Sequence, residues 1–384
     1  MRSTNAIRSL MSRASLSTLS TLSTRSTRST RSTRPRLSVV SLATTIAVLS
    51  ACSTTEVEPP WREAVVFDAG EKLGGCALGD LDPNRAGDEL AVVAGSGAVW
   101  MIAYEEGAWI SEKVGDLPGE MIQCAIGDVM PEHPGDELVM VGIKEGGEDD
   151  GGPGVAWVAW RDANGWNKEL IVEDHALLHA VCIGDFVDGS AAQALLVAGY
   201  SGNALVFVRD AGAWRQDAVI GLTGPAKGAS AGLGGAVIVD AEGALLKLSR
   251  DDGLWQRTEL AKFEDSLARV TATSDEVLFC ANDGKLRLWS AEGVETVYST
   301  TDRLRGAIFI DMDPGSYGVE LATAGYDGNI TLIRAGAATF TPQHIAHDDG
   351  RFHHLARGSI SGLGDVLAGC GYSGRVTVAW RVAK

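Results

Sequence analysis

One phrase recurs through this chain, and its period restricts the folds open to it. In the clearest copy, Gly184-Asp185 and a short polar loop lead into Ala194-Leu195-Leu196-Val197-Ala198-Gly199-Tyr200-Ser201-Gly202-Asn203-Ala204-Leu205-Val206-Phe207, and then Ala211-Gly212-Ala213-Trp214. This reads as an apolar strand, a tight glycine turn, a second strand, another turn and an outer strand that opens on an aromatic. The turn glycines align at Gly97, Gly154, Gly202, Gly243, Gly284, Gly328 and Gly374, spaced 57, 48, 41, 41, 44 and 46 residues apart. The 57 contains an insertion, Lys144-Glu145-Gly146-Gly147-Glu148-Asp149-Asp150-Gly151-Gly152. Asp-Gly and Ser-Gly between apolar runs mark two-residue hairpins, because glycine tolerates positive φ. A period of about 40–50 residues with four strands per copy predicts an all-β, seven-bladed β-propeller of four-stranded antiparallel blades.

Aromatic markers of the outer strands keep the same phase: Trp109, Trp166, Trp214 and Trp255, with Val294 and Phe340 in degenerate copies. Their expected role is structural, covering one sheet edge and packing on the next. Trp61-Arg62-Glu63-Ala64-Val65-Val66-Phe67 has the outer-strand pattern with no inner strands before it. The last stretch, Arg375 to Trp380, is an inner hairpin strand without an outer partner. Together they complete one blade, so an N-terminal outer strand closes the ring and removes an exposed sheet edge. The propeller therefore spans 61–384, and helix-period patterns are absent after residue 60.

The first 51 residues read differently. They hold eight arginines and no acidic residue, and a Ser/Thr/Arg low-complexity tract precedes an apolar run from Leu37 to Leu49. Basic followed by apolar is the order of a secretory signal peptide. The run ends Leu49-Ser50-Ala51-Cys52, which resembles the lipobox of bacterial lipoproteins. The resemblance implies cleavage before Cys52, lipidation of its thiol, and residues 52–60 as a tether. Ser53 after the cysteine implies an outer-membrane lipoprotein facing the periplasm or the outside. Without the leader, 33 − 8 = 25 basic residues face 50 acidic ones, a net charge of −25. That disfavours nucleic acid and leaves the lipid anchor as the only membrane contact.

Acidic loops follow the first strand of several copies. The fullest are Asp80-Leu81-Asp82-Pro83-Asn84-Arg85-Ala86-Gly87-Asp88-Glu89-Leu90 and Asp128-Val129-Met130-Pro131-Glu132-His133-Pro134-Gly135-Asp136-Glu137-Leu138, with a weaker Asp311-Met312-Asp313-Pro314-Gly315. With the valine-rich strand after it, this phrase resembles FG-GAP/VCBS repeats. That family often binds calcium in Asp-rich loops, which implies Asp80, Asp82, Asn84 and Asp88 as metal candidates. Calcium wants six to eight oxygens, and the spacing here is a residue longer than the family's. The competing reading is a network in which the carboxylates cap backbone N–H groups. No cofactor is otherwise expected.

The opposite face should carry the hairpin turns and the connections between blades. Three tyrosines collect there, Tyr200, Tyr326 and Tyr372, each in a Gly-Tyr-Ser/Asp-Gly turn. The same copies place His179, Arg305 and His353 at the start of the first strand, six residues before Asp185, Asp311 and Ser359, and His354 is adjacent. Aromatic rings with a few charged donors suit a sugar, a carboxylate or a peptide end; the alternative is that they fill and cap the central channel. Adjacent strand residues point to opposite sides, so His353 and His354 are not expected to chelate one metal. No Gly-x-Ser-x-Gly, His-Glu-x-x-His or P-loop occurs. The expected role is non-catalytic: a cell-envelope binding or scaffold lipoprotein that meets a protein or glycan at this face. The alternatives are an envelope polysaccharide lyase or hydrolase at the same mouth, marked by a deep pocket with a strongly shifted histidine, and a calcium-dependent adhesion module.

Overall fold

The computed structural model describes residues 61–146, 152–187, 189–190, 192–312, 318–336 and 339–382. The leader, Cys52, the tether, residues 147–151 of the insertion and Asp313-Pro314-Gly315 lie outside them. Seven four-stranded antiparallel sheets form a ring, and no helix occurs among the described residues: the fold is a seven-bladed β-propeller. The inner strands are Leu73–Gly79, Glu120–Gly127, Leu178–Gly184, Ala226–Gly232, Leu267–Ala272, Ile308–Ile310 and Phe352–Ile360. Six blades run inner to outer in chain order. The seventh takes its outer strand from the N-terminal side, where Trp61–Asp68 pairs antiparallel with Arg375–Arg381. The outer-strand markers also fall as expected, with Trp109, Trp166, Trp214 and Trp255 each second in its strand.

Each pair of neighbouring blades encloses its own apolar layer. Leu90 and Val92 face the seventh blade, whereas Ala91 and Val93 of the same strand face the second. Alternate side chains leave opposite sheet faces, so a strand buried on both sides must be apolar throughout. A single core seldom grows past about 250–300 residues; the ring replaces it with seven thin cores, one per interface.

One expectation fails locally. Gly154 is no turn glycine: it is the first residue of strand Gly154–Asp162 and lacks the positive φ of the other six aligned glycines. The insertion stands where the other blades have the tight turn, between strands Glu137–Ile143 and Gly154–Asp162.

Every inner strand carries a β-bulge at its start. Pairing shifts register between Leu73 and Gly75, Met121 and Gln123, Leu178 and Ala180, Ala226 and Gly228, Leu267 and Arg269, and Phe352 and His354. In the sixth blade Leu304 bridges Gly325 while Ile308 pairs with Ala322, so one extra residue lies there too. A bulge sets two residues opposite one and re-aims their side chains. The bulged residues His179, Lys227, Ala268, Arg305 and His353 therefore line one axial cavity, and the following residues Gln123, Gly228, Arg269, Gly306 and His354 line another.

Candidate functional site

The Gly-Tyr turns lie against these bulges. The N–H groups of Tyr200, Tyr326 and Tyr372 donate to the carbonyls of Leu177, Arg303 and Arg351 at 2.8, 2.9 and 3.0 Å. A Cβ on the preceding Gly199, Gly325 or Gly371 would stand 2.0, 2.5 and 2.0 Å from those same oxygens. Only glycine permits that approach, which explains the Gly-Tyr pair.

Each tyrosine backs a cation. Lys227 sits 4.2 Å from the Tyr200 ring centroid and donates to its hydroxyl; Arg305 and Arg351 lie 4.8 and 5.1 Å from that of Tyr326; Lys72 lies 5.6 Å from that of Tyr372. These distances fall within cation–π range. Tyr326 and Tyr372 meet edge to face and share a hydroxyl hydrogen bond of 3.2 Å, and His353 packs edge-on against Tyr372. Burial pushes the Tyr372 hydroxyl up; for Tyr326 burial is outweighed by the bond from Tyr372 and the Arg305 charge, which bring it down.

Inside this layer a cavity of about 350 Å³ opens at the axis on the tyrosine face, lined by His179, Lys227, Arg269, Arg303, Arg305 and His353 among others. A second, of about 360 Å³, continues below and shares Arg269 and Arg305, adding Gln123, His354 and Arg357. The structure thus brings His179, Arg305 and His353 together, as their shared register implies. The tyrosines stand behind the cations and do not line either cavity.

The imidazoles are wired to the backbone. His353 Nδ1 donates to the Gly74 carbonyl at 2.9 Å and His179 Nδ1 to that of Lys227 at 3.2 Å. His354 points elsewhere, with Nδ1 3.8 Å from Cys76 Sγ and Nε2 accepting from Gln123 Nε2 at 3.2 Å. Burial, then the Arg269 charge, pushes all three below the usual imidazole range, His353 to about 3. They are neutral at neutral pH. The five cysteines among the described residues are free and buried, and burial raises the thiols of Cys124, Cys182, Cys280 and Cys370, Cys182 to about 12.

Most of the cations escape reading by pattern alone, Arg269 and Lys227 among them. Arg269 reaches across the axis, donating to the carbonyls of Lys227 and Ala268 at 3.0 Å and of His353 at 3.4 Å. Its signal was an arginine inside an apolar strand, Leu267-Ala268-Arg269-Val270. Lys227 occupies the ring position of His179, but its blade has lost the acidic loop from which that register is counted.

On the opposite face the acidic loops are closed from within. Glu89 Oε2 accepts from the N–H groups of Leu81 and Asp82 at 3.0 and 2.9 Å, and Glu137 Oε2 from those of Val129 and Met130 at 2.9 and 2.8 Å. Asp82 accepts from Asn84 N–H at 3.2 Å and from Arg85 Nε at 3.1 Å. Asp88 accepts from Ser359 N–H at 2.7 Å, which ties the loop to the seventh blade. Asp80 is near enough to Asp88 and Asp82 for their charges to add to the burial that raises it. Among the described residues no group of three or more His, Cys, Asp or Glu is arranged to hold a metal ion.

No protein-family model and no curated protein matches the chain. Among solved structures it is similar to the WD40 β-propeller domain of Doa1, with a TM-score of 0.60 at 10% identity over 84% of this chain and 97% of that one. At that identity the likeness concerns the fold, and the fold is that of a β-propeller.

Proposed function

We propose that the protein is a non-catalytic binding or scaffold module that receives a ligand or a partner's side group at the axial mouth on the tyrosine face. Propellers commonly serve as protein-binding scaffolds, but a fold does not assign a function, and one observation carries this reading. The mouth is a preformed cavity in which cations are fixed by aromatic rings and backbone carbonyls. Preorganised donors around a concave site favour recognition, because little freedom is lost on binding.

The second reading, an envelope hydrolase or lyase at the same mouth, draws support from the enclosed cavity and the strongly shifted imidazoles. The direction of the shift weighs against it: a general base works best with a pKa near the working pH, and His353 is held at about 3.

The proposal includes an envelope address, lipidation at Cys52 and kinship with FG-GAP/VCBS repeats, supported by Leu49-Ser50-Ala51-Cys52 and by the acidic loop phrase. Labelled palmitate on Cys52 tests the anchor. Affinity capture from native envelope extract tests the mouth, with a folded His179→Ala, Arg305→Ala, His353→Ala variant as control. A protein or glycan held by the wild type and lost by the variant supports the reading; equal recovery on both removes it.

A further inference from the structure

We propose that the axial channel holds a small oxyanion, a carboxylate or phosphate group, between the guanidinium groups of Arg269 and Arg305. This deepens the binding reading above and rests on it.

The first argument is charge. The chain has 50 Asp and Glu against 33 Lys and Arg, yet the two channel cavities are lined by Lys227, Arg269, Arg303, Arg305 and Arg357, with no carboxylate among their lining residues. The three imidazoles beside them are neutral, and no lining residue carries a negative charge.

The second argument is the contrast with other arginines. Arg287, as buried as the channel pair, meets Asp283; Arg209 meets Glu132 and Glu169; Arg161 meets Glu112. Arg269 and Arg305 are 6% and 9% exposed and make no ion pair among the described residues. Carbonyl oxygens satisfy some N–H groups of Arg269, but they do not neutralise it. A buried charge without a partner destabilises the fold, and here two of the same sign lie close enough that Arg305 adds to the burial lowering Arg269. Arg269 Nε is buried with no acceptor at all.

The third argument is geometry. Arg269 is held by carbonyls of the fourth, fifth and seventh blades, and the Tyr326 ring backs Arg305, so neither guanidinium has to be ordered on binding. Planar guanidinium forks match carboxylate and phosphate oxygens in pairs, a match that chloride does not offer. A cavity of about 350 Å³ at the mouth fits a small organic acid or one acidic group at the end of a larger partner.

The test is titration calorimetry and thermal unfolding of the full chain. Citrate and inorganic phosphate are the probes, with sodium chloride at matched ionic strength and glucose as controls. A short peptide with a free C-terminal carboxylate, beside its amide, separates an anion carried by a macromolecule from a free one. The expected result is saturable heat and a raised Tm with at least one oxyanion, weakened about ten- to hundredfold in Arg305→Gln, the loss expected for one charge-assisted hydrogen bond. Arg305→Gln decides rather than Arg269→Gln, because Arg305 bonds the carbonyl of its own neighbour Leu304 whereas Arg269 ties three blades together. Circular dichroism establishes that the variant is folded.

No saturable binding of any oxyanion, or an unchanged affinity in folded Arg305→Gln, overturns the proposal. An oxyanion effect in the wild type no larger than that of chloride overturns it whatever the variants do. A partner captured through the mouth by a protein that binds no oxyanion leaves the binding reading standing and this one fallen. Oxyanion binding with equal capture by the triple variant leaves the mouth a small-ligand site and removes the protein or glycan partner from the reading.

Discussion

Arg269 Nη2 on the fifth blade donates to the carbonyl of His353 on the seventh at 3.4 Å, passing the sixth blade on the way. The same guanidinium touches the fourth blade through Lys227. One side chain thus ties separate blades at the axis, where no strand pairing joins them, and lowers the proton affinity of the imidazoles around it.

The imidazoles make stability depend on pH with a definite sign. His353 has a folded pKa of about 3 against about 6.5 when unfolded. Between these values the unfolded chain binds a proton that the native state does not, so stability falls as pH drops, by at most about 1.4 kcal/mol per pH unit for one such group. Its stabilising contribution is complete above pH ~6.5. Urea midpoints from pH 7.5 to 4 for wild type and His353→Gln should diverge only below that value, with the wild type losing more. Parallel curves would mean that His353 is open to solvent.

Glu137 is fully buried and accepts two backbone N–H groups. In Glu137→Ala both donors lose their partner, at an expected cost of about 2 kcal/mol or more. Glu137→Gln keeps an acceptor oxygen and should cost less. Burial also raises the Glu137 carboxyl to about 7, so its protonated form stabilises the fold below about pH 4.5 and that contribution is lost as pH rises through 7. Denaturant midpoints of the wild type and the two variants at pH 6 and 8 check both statements.

Gly371→Ala should disturb the fold and the mouth together. The new Cβ would stand 2.0 Å from the Arg351 carbonyl and 2.7 Å from the His353 nitrogen, both backbone atoms. A cost of about 1–3 kcal/mol is expected, with a displaced His353 ring signal by NMR. Gly202→Ala is the comparison: its Cβ meets nothing within 4 Å and only the positive φ of 70° is penalised, about 1 kcal/mol.

Deleting 61–68 removes the outer strand of the seventh blade and bares the edge of Arg375–Arg381. Hydrogen exchange should rise first in that strand and in its neighbour Gly364–Gly371. The sixth blade should follow, because Glu63 accepts from the His347 N–H at 2.7 Å. Unchanged exchange in the seventh blade would contradict closure by this strand.

The architecture was legible in the repeat. Glycine turns such as Ser373-Gly374, apolar strands such as Ala194–Gly199 and the unpaired halves at Trp61 and Arg375 specify blade number, strand order and ring closure, because each depends on local pattern and period. The alignment of His179, Arg305 and His353 was legible for the same reason. The role of Arg269 was not, nor that of Lys227. Their membership of the mouth depends on a bulge that turns consecutive residues of each inner strand toward the axis, and on blades that meet only once the ring has closed. Whether Glu89 and Glu137 were free acids or turn caps was equally hidden, since the N–H groups they accept lie across a loop. Chain pattern sets which residues share a face; only closure of the ring decides which charges share a cavity and whether anything neutralises them.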